Sequence, residues 1–166
     1  RNGCIGVLAT ERTVASGAYE RSIAALEPRC RVVGQAAPRL VTMVEDGMLE
    51  RDPAGLDPVL AEHVRPLVEA GADTVILGCT HFLALQGRIA RLFPGLAVVN
   101  PAAETAEEAA AMLQERAALA APNGLPRHRF LITGQDAAHF ADVGARILGF
   151  PLGRIERVAR PAAHAR

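Results

Sequence analysis

The stretch Asp73-Thr74-Val75-Ile76-Leu77-Gly78-Cys79-Thr80-His81 decides the reading of the fold. Asp73 to Leu77 is a short run, rich in β-branched and aliphatic side chains, with the length and composition of a buried strand. Gly78 lets the chain turn. Beyond Cys79-Thr80-His81 a helical pattern begins, with Phe82, Leu85, Ile89 and Leu92 on one side. On the other flank, Pro58 to Ala70 reads as an amphipathic helix with Leu60, Val64, Leu67 and Val68 sharing a face. Pro58 suits the first turn after Asp57, and Gly71 stops the helix. A buried strand between two helices is the repeating unit of a parallel sheet, because parallel neighbours need a crossover connection.

The same alternation extends in both directions. Toward the start, Ile5 to Ala9 is a strand ending at Thr10, followed by a helical pattern with Ala15, Tyr19, Ile23 and Leu26 near one face. Arg31 to Gly34 is a second strand. Pro38 opens a short helix over Arg39 to Val44 that carries Glu45 at its end, and Met48 to Asp57 reads as a loop. Toward the end, Ala97 to Val99 is a strand, and Asn100-Pro101 caps and opens a helix that carries Ala106, Ala109, Ala110 and Leu113 inward. Residues 121–127 form a loop and Phe130 to Thr133 a strand. Asp136 caps a helix presenting Phe140, Val143 and Ile147; Ile155 to Val158 is a last strand, and 160–166 a frayed tail. The predicted class is α/β, a three-layer fold with a mostly parallel sheet and flanking helices. Ligands in such folds bind beyond the carboxyl ends of the strands. The polar turns Thr10–Thr13 and Gly78–His81 both fall at that end.

Composition narrows the function. Charge is balanced, with 18 basic and 18 acidic residues, and aromatics make up 4 %. Scattered arginines and few aromatic platforms argue against nucleic acid or an anionic membrane surface as the main partner. No apolar run reaches the roughly 18 residues of a membrane span, and no signal peptide is evident. The three cysteines, Cys4, Cys30 and Cys79, are neither a disulfide framework nor a close metal-ligand set, which fits a reducing, cytoplasmic setting. The chain holds no lysine. Schiff-base chemistry on pyridoxal phosphate and the Walker phosphate loop both require one, so neither belongs to this chain alone. Residue 1 is Arg, which is read as the mark of a fragment.

Cys79 is the sharpest candidate for chemistry. A thiol between a strand and a helix meets the positive end of the helix dipole, which favours the thiolate. A lone cysteine is more often inert and buried; the Gly-Cys-Thr-His string at a strand end reverses that preference. His81 stands two residues on, positioned to assist the thiol. Glu45, if it faces His81 across the cleft, holds the imidazole oriented and protonated, although composition alone favours a solvated acid. Thr10 and Thr13 flank the first strand-to-helix turn, where hydroxyls and free amides can hold a carboxylate; the plainer reading is an ordinary N-cap at Thr13. The histidines at 63, 128, 139 and 164 lack a partner pattern, and Cys4 and Cys30 sit at strand starts, the wrong end for a site.

Five motifs in order resemble the second half of glutamate racemases. They are Ala9-Thr10-Glu11-Arg12-Thr13-Val14-Ala15-Ser16 with Tyr19; Gln35-Ala36-Ala37-Pro38 with Val44-Glu45-Asp46-Gly47; Leu77-Gly78-Cys79-Thr80-His81-Phe82; Glu104-Thr105-Ala106; and Phe130-Leu131-Ile132-Thr133-Gly134. Histidine after Cys-Thr favours the glutamate enzymes over the related aspartate racemases. The resemblance implies interconversion of L- and D-glutamate without metal or organic cofactor, supplying D-glutamate for peptidoglycan and so for the cell wall and cell shape. It implies two cysteines facing the α-carbon from opposite sides, Cys79 being the second. His81 assists Cys79 and Glu45 pairs with His81, while Thr80, Thr10 and Thr13 hold the substrate's carboxylates and ammonium. Residues 1–100 correspond to the second racemase domain, and 101–166 to a segment that completes the first. Left alone, that segment would expose a strand edge and an apolar helix face. A homodimer is expected by family analogy.

The chain departs from the family pattern at Ala37, where cysteine is usual, and at Phe82-Leu83, where Tyr-Pro is usual. The first domain's Asp-Ser-Gly turn and Cys-Asn-Thr are absent from the 166 residues. Two other classes stay open. One is a related superfamily enzyme: a single-cysteine decarboxylase, or a racemase of another amino acid or a hydantoin. The other is a non-catalytic, truncated α/β module that binds a dicarboxylate or a partner.

Overall fold

The computed structural model describes residues 2–121 and 127–159. The chain divides into two compact units, Arg1–Leu119 and Ala120–Arg166. In the first, strands β1 (Cys4–Ala9), β2 (Arg31–Ala36), β3 (Thr74–Leu77) and β4 (Ala97–Val99) form a parallel sheet in the order β2-β1-β3-β4. β1 lies between β2 and β3, with Leu8 opposite both Gln35 and Leu77. The helices are α1 (Glu11–Ala15), α2 (Ala18–Leu26), α3 (Pro38–Glu45), α4 (Met48–Arg51), α5 (Pro53–Glu69), α6 (Gln86–Leu92) and α7 (Pro101–Glu115). The predicted α/β class, mostly parallel with flanking helices, is the observed one.

Alternation along β1 sets the layers. Gly6 faces α5 so closely that a Cβ there would lie 3.0 Å from the Leu67 side chain. Cys4 and Leu8, on the same face, join the main core with Leu40, Leu56, Leu60, Val64, Phe82, Leu85 and Ile89. Gly34 of β2 faces the opposite way, and a Cβ there would lie 2.9 Å from Val14 of α1. One face of the sheet is therefore deeply covered. The other carries the thinner α1–α2 layer, in which no residue is fully buried.

Several local expectations are corrected. The predicted loop from Met48 to Asp57 is helical, forming α4 and the start of α5. Asp52 is the reason: its carboxylate accepts from Gly55 N–H at 2.9 Å, and Pro53 takes the first helical position. Pro58 therefore lies inside α5 rather than opening it. The single helix expected after Thr10 is two, because Gly17 adopts φ +61 between them. That break leaves Ala15 exposed and Leu26 86 % exposed, while Tyr19 and Ile23 stay half-buried. Val68 is exposed at the edge of the α5 stripe. Between Cys79 and α6 the backbone is a 3-10 helix, Thr80–Leu85. In α7, Ala106, Ala109, Ala110 and Leu113 are exposed rather than inward; periodicity marks an apolar face without supplying what covers it.

In the second unit, β5 (Phe130–Ile132) and β6 (Ile155–Arg157) pair in parallel through α8 (Ala137–Leu148), which is capped by Asp136 as expected. Val143 is buried there, while Phe140 and Ile147 are exposed. The predicted tail 160–166, and residues 122–126 of the predicted loop, lie outside the described residues.

Asp57 joins α5 to α6. It accepts from Arg88 at 2.7 Å and from Arg91 at 3.1 Å, and Arg88 also donates to the Pro53 carbonyl at 2.9 Å. The Arg88 hydrogen bond is the main cause holding the Asp57 carboxyl below its ordinary value. Asp57→Asn is expected to lower unfolding stability at neutral pH by about 1–2 kcal/mol. A depressed carboxyl stabilises the fold above its unfolded pKa of about 3.9 and loses that contribution as pH falls through the folded value. Urea unfolding from pH 7 down to pH 3 should thus show the gap between parent and variant closing with acid; a constant gap would mean the charge is not its source.

Candidate active site

Cys79 is presented by a tight junction at the carboxyl end of β3. The Gly78 N–H donates to the Leu8 carbonyl at 2.8 Å, carrying the β1–β3 ladder one residue past the strand. A side chain there would be tight: a Cβ on Gly78 would lie 3.0 Å from the Ala9 Cβ and 3.2 Å from the Tyr19 ring, so those neighbours would have to shift. Cys79 follows in extended conformation as N-cap of the 3-10 helix, and its carbonyl accepts from Phe82 N–H at 3.0 Å. Phe82 and Leu85 are fully buried, so the turn is locked into the core while the thiol stays half-buried.

His81 lies between the thiol and a carboxylate. Its Nδ1 is 3.6 Å from Cys79 Sγ and its Nε2 is 2.9 Å from Glu45 Oε1. A carboxylate at Glu45 calls for a hydrogen on Nε2. Nδ1 then accepts from a thiol or, in the imidazolium, donates to a thiolate. Glu45 is the last residue of α3, which is fixed by buried Leu40 and Val44 and by the hydrogen bond from Ala37 N–H to the Ala9 carbonyl at 2.9 Å. The side chains of His81 and Glu45 are 24 % and 39 % exposed, so the pair is partly screened from solvent.

Thr10, not Thr13, is the N-cap of α1: its hydroxyl accepts from Thr13 N–H at 3.3 Å and lies 2.9 Å from the Thr13 hydroxyl. The pair stands at the end of β1, beside the Gly78 junction. Thr80 begins the 3-10 helix and is exposed.

A cavity of about 310 Å³ opens over this end of the sheet. The chain from Leu77 to Thr80 forms one part of its wall, Tyr19 and Leu83 another, and Pro101, Ala102 and Thr105 of α7 a third. Of the six residues expected at a site, Cys79 and Thr80 line it. His81 and Glu45 connect to it through the thiol, and Thr10 and Thr13 are outside its lining. A larger cleft of about 450 Å³, bounded by Asn2, Asp73 and Phe93, lies at the opposite end of β3, and no cysteine or histidine is among the described residues that line it. Cys4 and Cys30 are also at that far end. Among the described residues no cluster of three or more His, Cys, Asp or Glu is arranged for a metal ion.

That Tyr19, Leu83 and Thr105 line the cavity is not legible in the sequence, although Tyr19 and Thr105 belong to motifs already noted. Their placement depends on contacts between distant elements. Asn100 shows how: its amide donates to Gln86 Oε1 at 3.1 Å while its oxygen accepts from Ala102 N–H at 3.0 Å. One side chain thus ties the start of α7 to the helix that follows the thiol.

Residues 1–109 match the family described as Asp/Glu/hydantoin racemase. A glutamate racemase of Neisseria meningitidis is 40 % identical over 159 residues, covering 96 % of this chain and 58 % of that protein. The crystal structure of glutamate racemase isoform RacE1 from Bacillus anthracis matches with a TM-score of 0.82 at 32 % identity, over 98 % of this chain and 59 % of that one. A glutamate racemase from Francisella tularensis, solved in complex with D-glutamate, matches with a TM-score of 0.84 at 25 % identity, over 95 % and 58 %. The chain thus spans little more than half the length of the relatives it matches.

Gly78→Ala tests the junction. The methyl group would press on a strand residue and a packed ring, and the expected loss is about 1–3 kcal/mol of unfolding stability, read by urea denaturation. Parent-like stability would mean that Ala9 and Tyr19 give way freely and that the close approach does not define the turn.

Proposed function

The chain belongs to the Asp/Glu/hydantoin racemase family, and from that premise we propose that it supplies one half of the active site of a glutamate racemase. The observation that carries this reading is the Cys79–His81–Glu45 series at the carboxyl end of a parallel sheet, beside a cavity of amino-acid size. The similarity to proteins named glutamate racemase, one of them holding D-glutamate, supports the choice of substrate.

In the proposed reaction Cys79 acts on one face of the α-carbon. As thiolate it takes the α-proton; as thiol it returns one. His81 relays charge to and from the sulfur, and Glu45 orients the imidazole and balances its positive form. The carbanion-like state requires hydrogen bonds aimed where charge develops on the α-carboxylate, a task given to Thr80 and to the Thr10–Thr13 turn. A second thiol must serve the other face. Cys4 and Cys30 lie at the wrong end of the sheet, so that thiol comes from outside these 166 residues. Residues 101–166 are assigned to completing the domain that bears it. No organic cofactor is required for the scheme.

The remaining expectations belong to the same proposal: a cytoplasmic enzyme, D-glutamate destined for peptidoglycan, and a homodimeric assembly. No helix among the described residues is long and apolar enough to cross a membrane.

Exchange of the α-hydrogen of glutamate in D2O, followed by NMR together with optical inversion, provides the test. In the complete gene product, Cys79→Ser should reduce racemisation by on the order of 10²–10⁴-fold or more. Parent-rate racemisation by that variant would remove Cys79 from the mechanism. The isolated 166-residue chain is expected not to racemise glutamate; an equal D/L mixture formed by it at enzymic rates would refute the half-site reading.

A further inference from the structure

The polar groups around the cavity are unequal in what they have left to offer. Thr105 lines the cavity, but its hydroxyl already donates to the Pro101 carbonyl at 2.7 Å, so toward a ligand it presents lone pairs. Cys79 is engaged with His81. Tyr19 also lines the cavity, and among the described residues no hydrogen-bond partner falls to its hydroxyl. Its ring is held in place: it packs on Gly78, and the phenolic oxygen lies 3.3 Å from where a Cβ on that glycine would be. A phenol fixed beside the thiol turn with its O–H uncommitted is a donor in waiting.

Charge sharpens the argument. The chain carries 18 arginines, yet no basic residue is among the described residues that line this cavity. An acidic amino acid entering it must be held from this side by neutral donors. A phenolic O–H is a more acidic donor than an aliphatic hydroxyl, and its hydrogen bond to a carboxylate is charge-assisted. A buried or partly buried phenol also loses little conformational freedom on binding, having two side-chain torsions already set by packing.

We propose that Tyr19 is a substrate-binding residue whose phenolic O–H donates to a carboxylate of the amino acid held against Cys79. This rests on the proposed function of the site and adds a residue to it. Phenylalanine at position 19 keeps the ring on Gly78 and removes the donor alone, so the turn that presents the thiol is preserved.

The experiment uses the complete gene product and measures the alkylation rate of Cys79 by iodoacetamide, by mass spectrometry of the peptide that contains it, with and without D-glutamate. In the parent, D-glutamate is expected to protect Cys79. In Tyr19→Phe the unprotected rate should equal the parent's, while half-protection should need about tenfold more D-glutamate, the loss typical of one hydrogen bond to a charged group. Equal protection of parent and variant would overturn the inference. A changed unprotected rate would assign Tyr19 to shaping the turn instead, and would overturn it too. Absence of protection in the parent would sink the reading of the site itself, and this inference with it.

Discussion

The close approach at Gly78 is the constraint on which the site depends. A side chain at the end of β3 would press on Ala9 of the neighbouring strand and on the Tyr19 ring of α2, which would have to give by a few tenths of an ångström. With no Cβ present, the peptide sits flat against β1 and donates to Leu8. The next residue is thereby pushed beyond the sheet in an extended conformation, and Phe82 pins the far side of the turn in the core. The thiol sits half-buried where this turn leaves it. That the candidate thiol emerges here is a consequence of parallel topology: strand ends gather at one edge of the sheet, and helices begin there with unpaired N–H groups.

The same geometry explains how three distant segments meet. β1 places Ala9 where it can anchor the start of α3 through its carbonyl. α3 then runs two turns over the core and delivers Glu45 at its end, 2.9 Å from His81. β3, paired to the other side of β1, delivers Cys79 and His81. The central strand therefore sets the distance between carboxylate and imidazole without contributing either. Packing supplies the precision, since Leu8, Leu40, Val44 and Phe82 belong to one buried cluster.

This division also explains what was legible in the sequence. Strands and their polar turns were readable because apolar runs bounded by Gly, Pro and Thr carry local signals, and the motifs singled out Cys79, His81 and Glu45, which the fold brings together. The start of α5 was missed because Pro and Gly between 53 and 58 resemble a loop; the deciding features, the Asp52 cap and the Arg88 hydrogen bond to Pro53, are respectively ambiguous and long-range. The exposed face of α7 was misread for a related reason. Its amphipathic pattern is real, but a pattern cannot say whether the covering surface lies within the same chain. Tyr19 was visible as a letter in a motif, while its contact with Gly78 exists only when α2 folds over the sheet.

No basic side chain is among the described residues that line the cavity, so in the proposed reaction the developing charge must be met from this side by neutral groups. Only interactions that grow as charge develops on the α-carboxylate speed proton transfer; binding the reactant and the transition state equally well does not. In the proposed reaction that work falls, on this side, to neutral hydroxyls and backbone amides. Their hydrogen bonds strengthen as charge moves from the α-carbon into the carboxylate, and they gain most where water is excluded. Thr80 is exposed in this chain, and the α7 residues beyond the cavity are uncovered. On this side alone water is not excluded. Donors of this kind reach their full strength only when another surface closes over them, and the same surface would bring the second thiol. In the proposed reaction, completion of the site and activation of its hydrogen bonds are then one event, and proton transfer would wait on the closing of two halves around the amino acid.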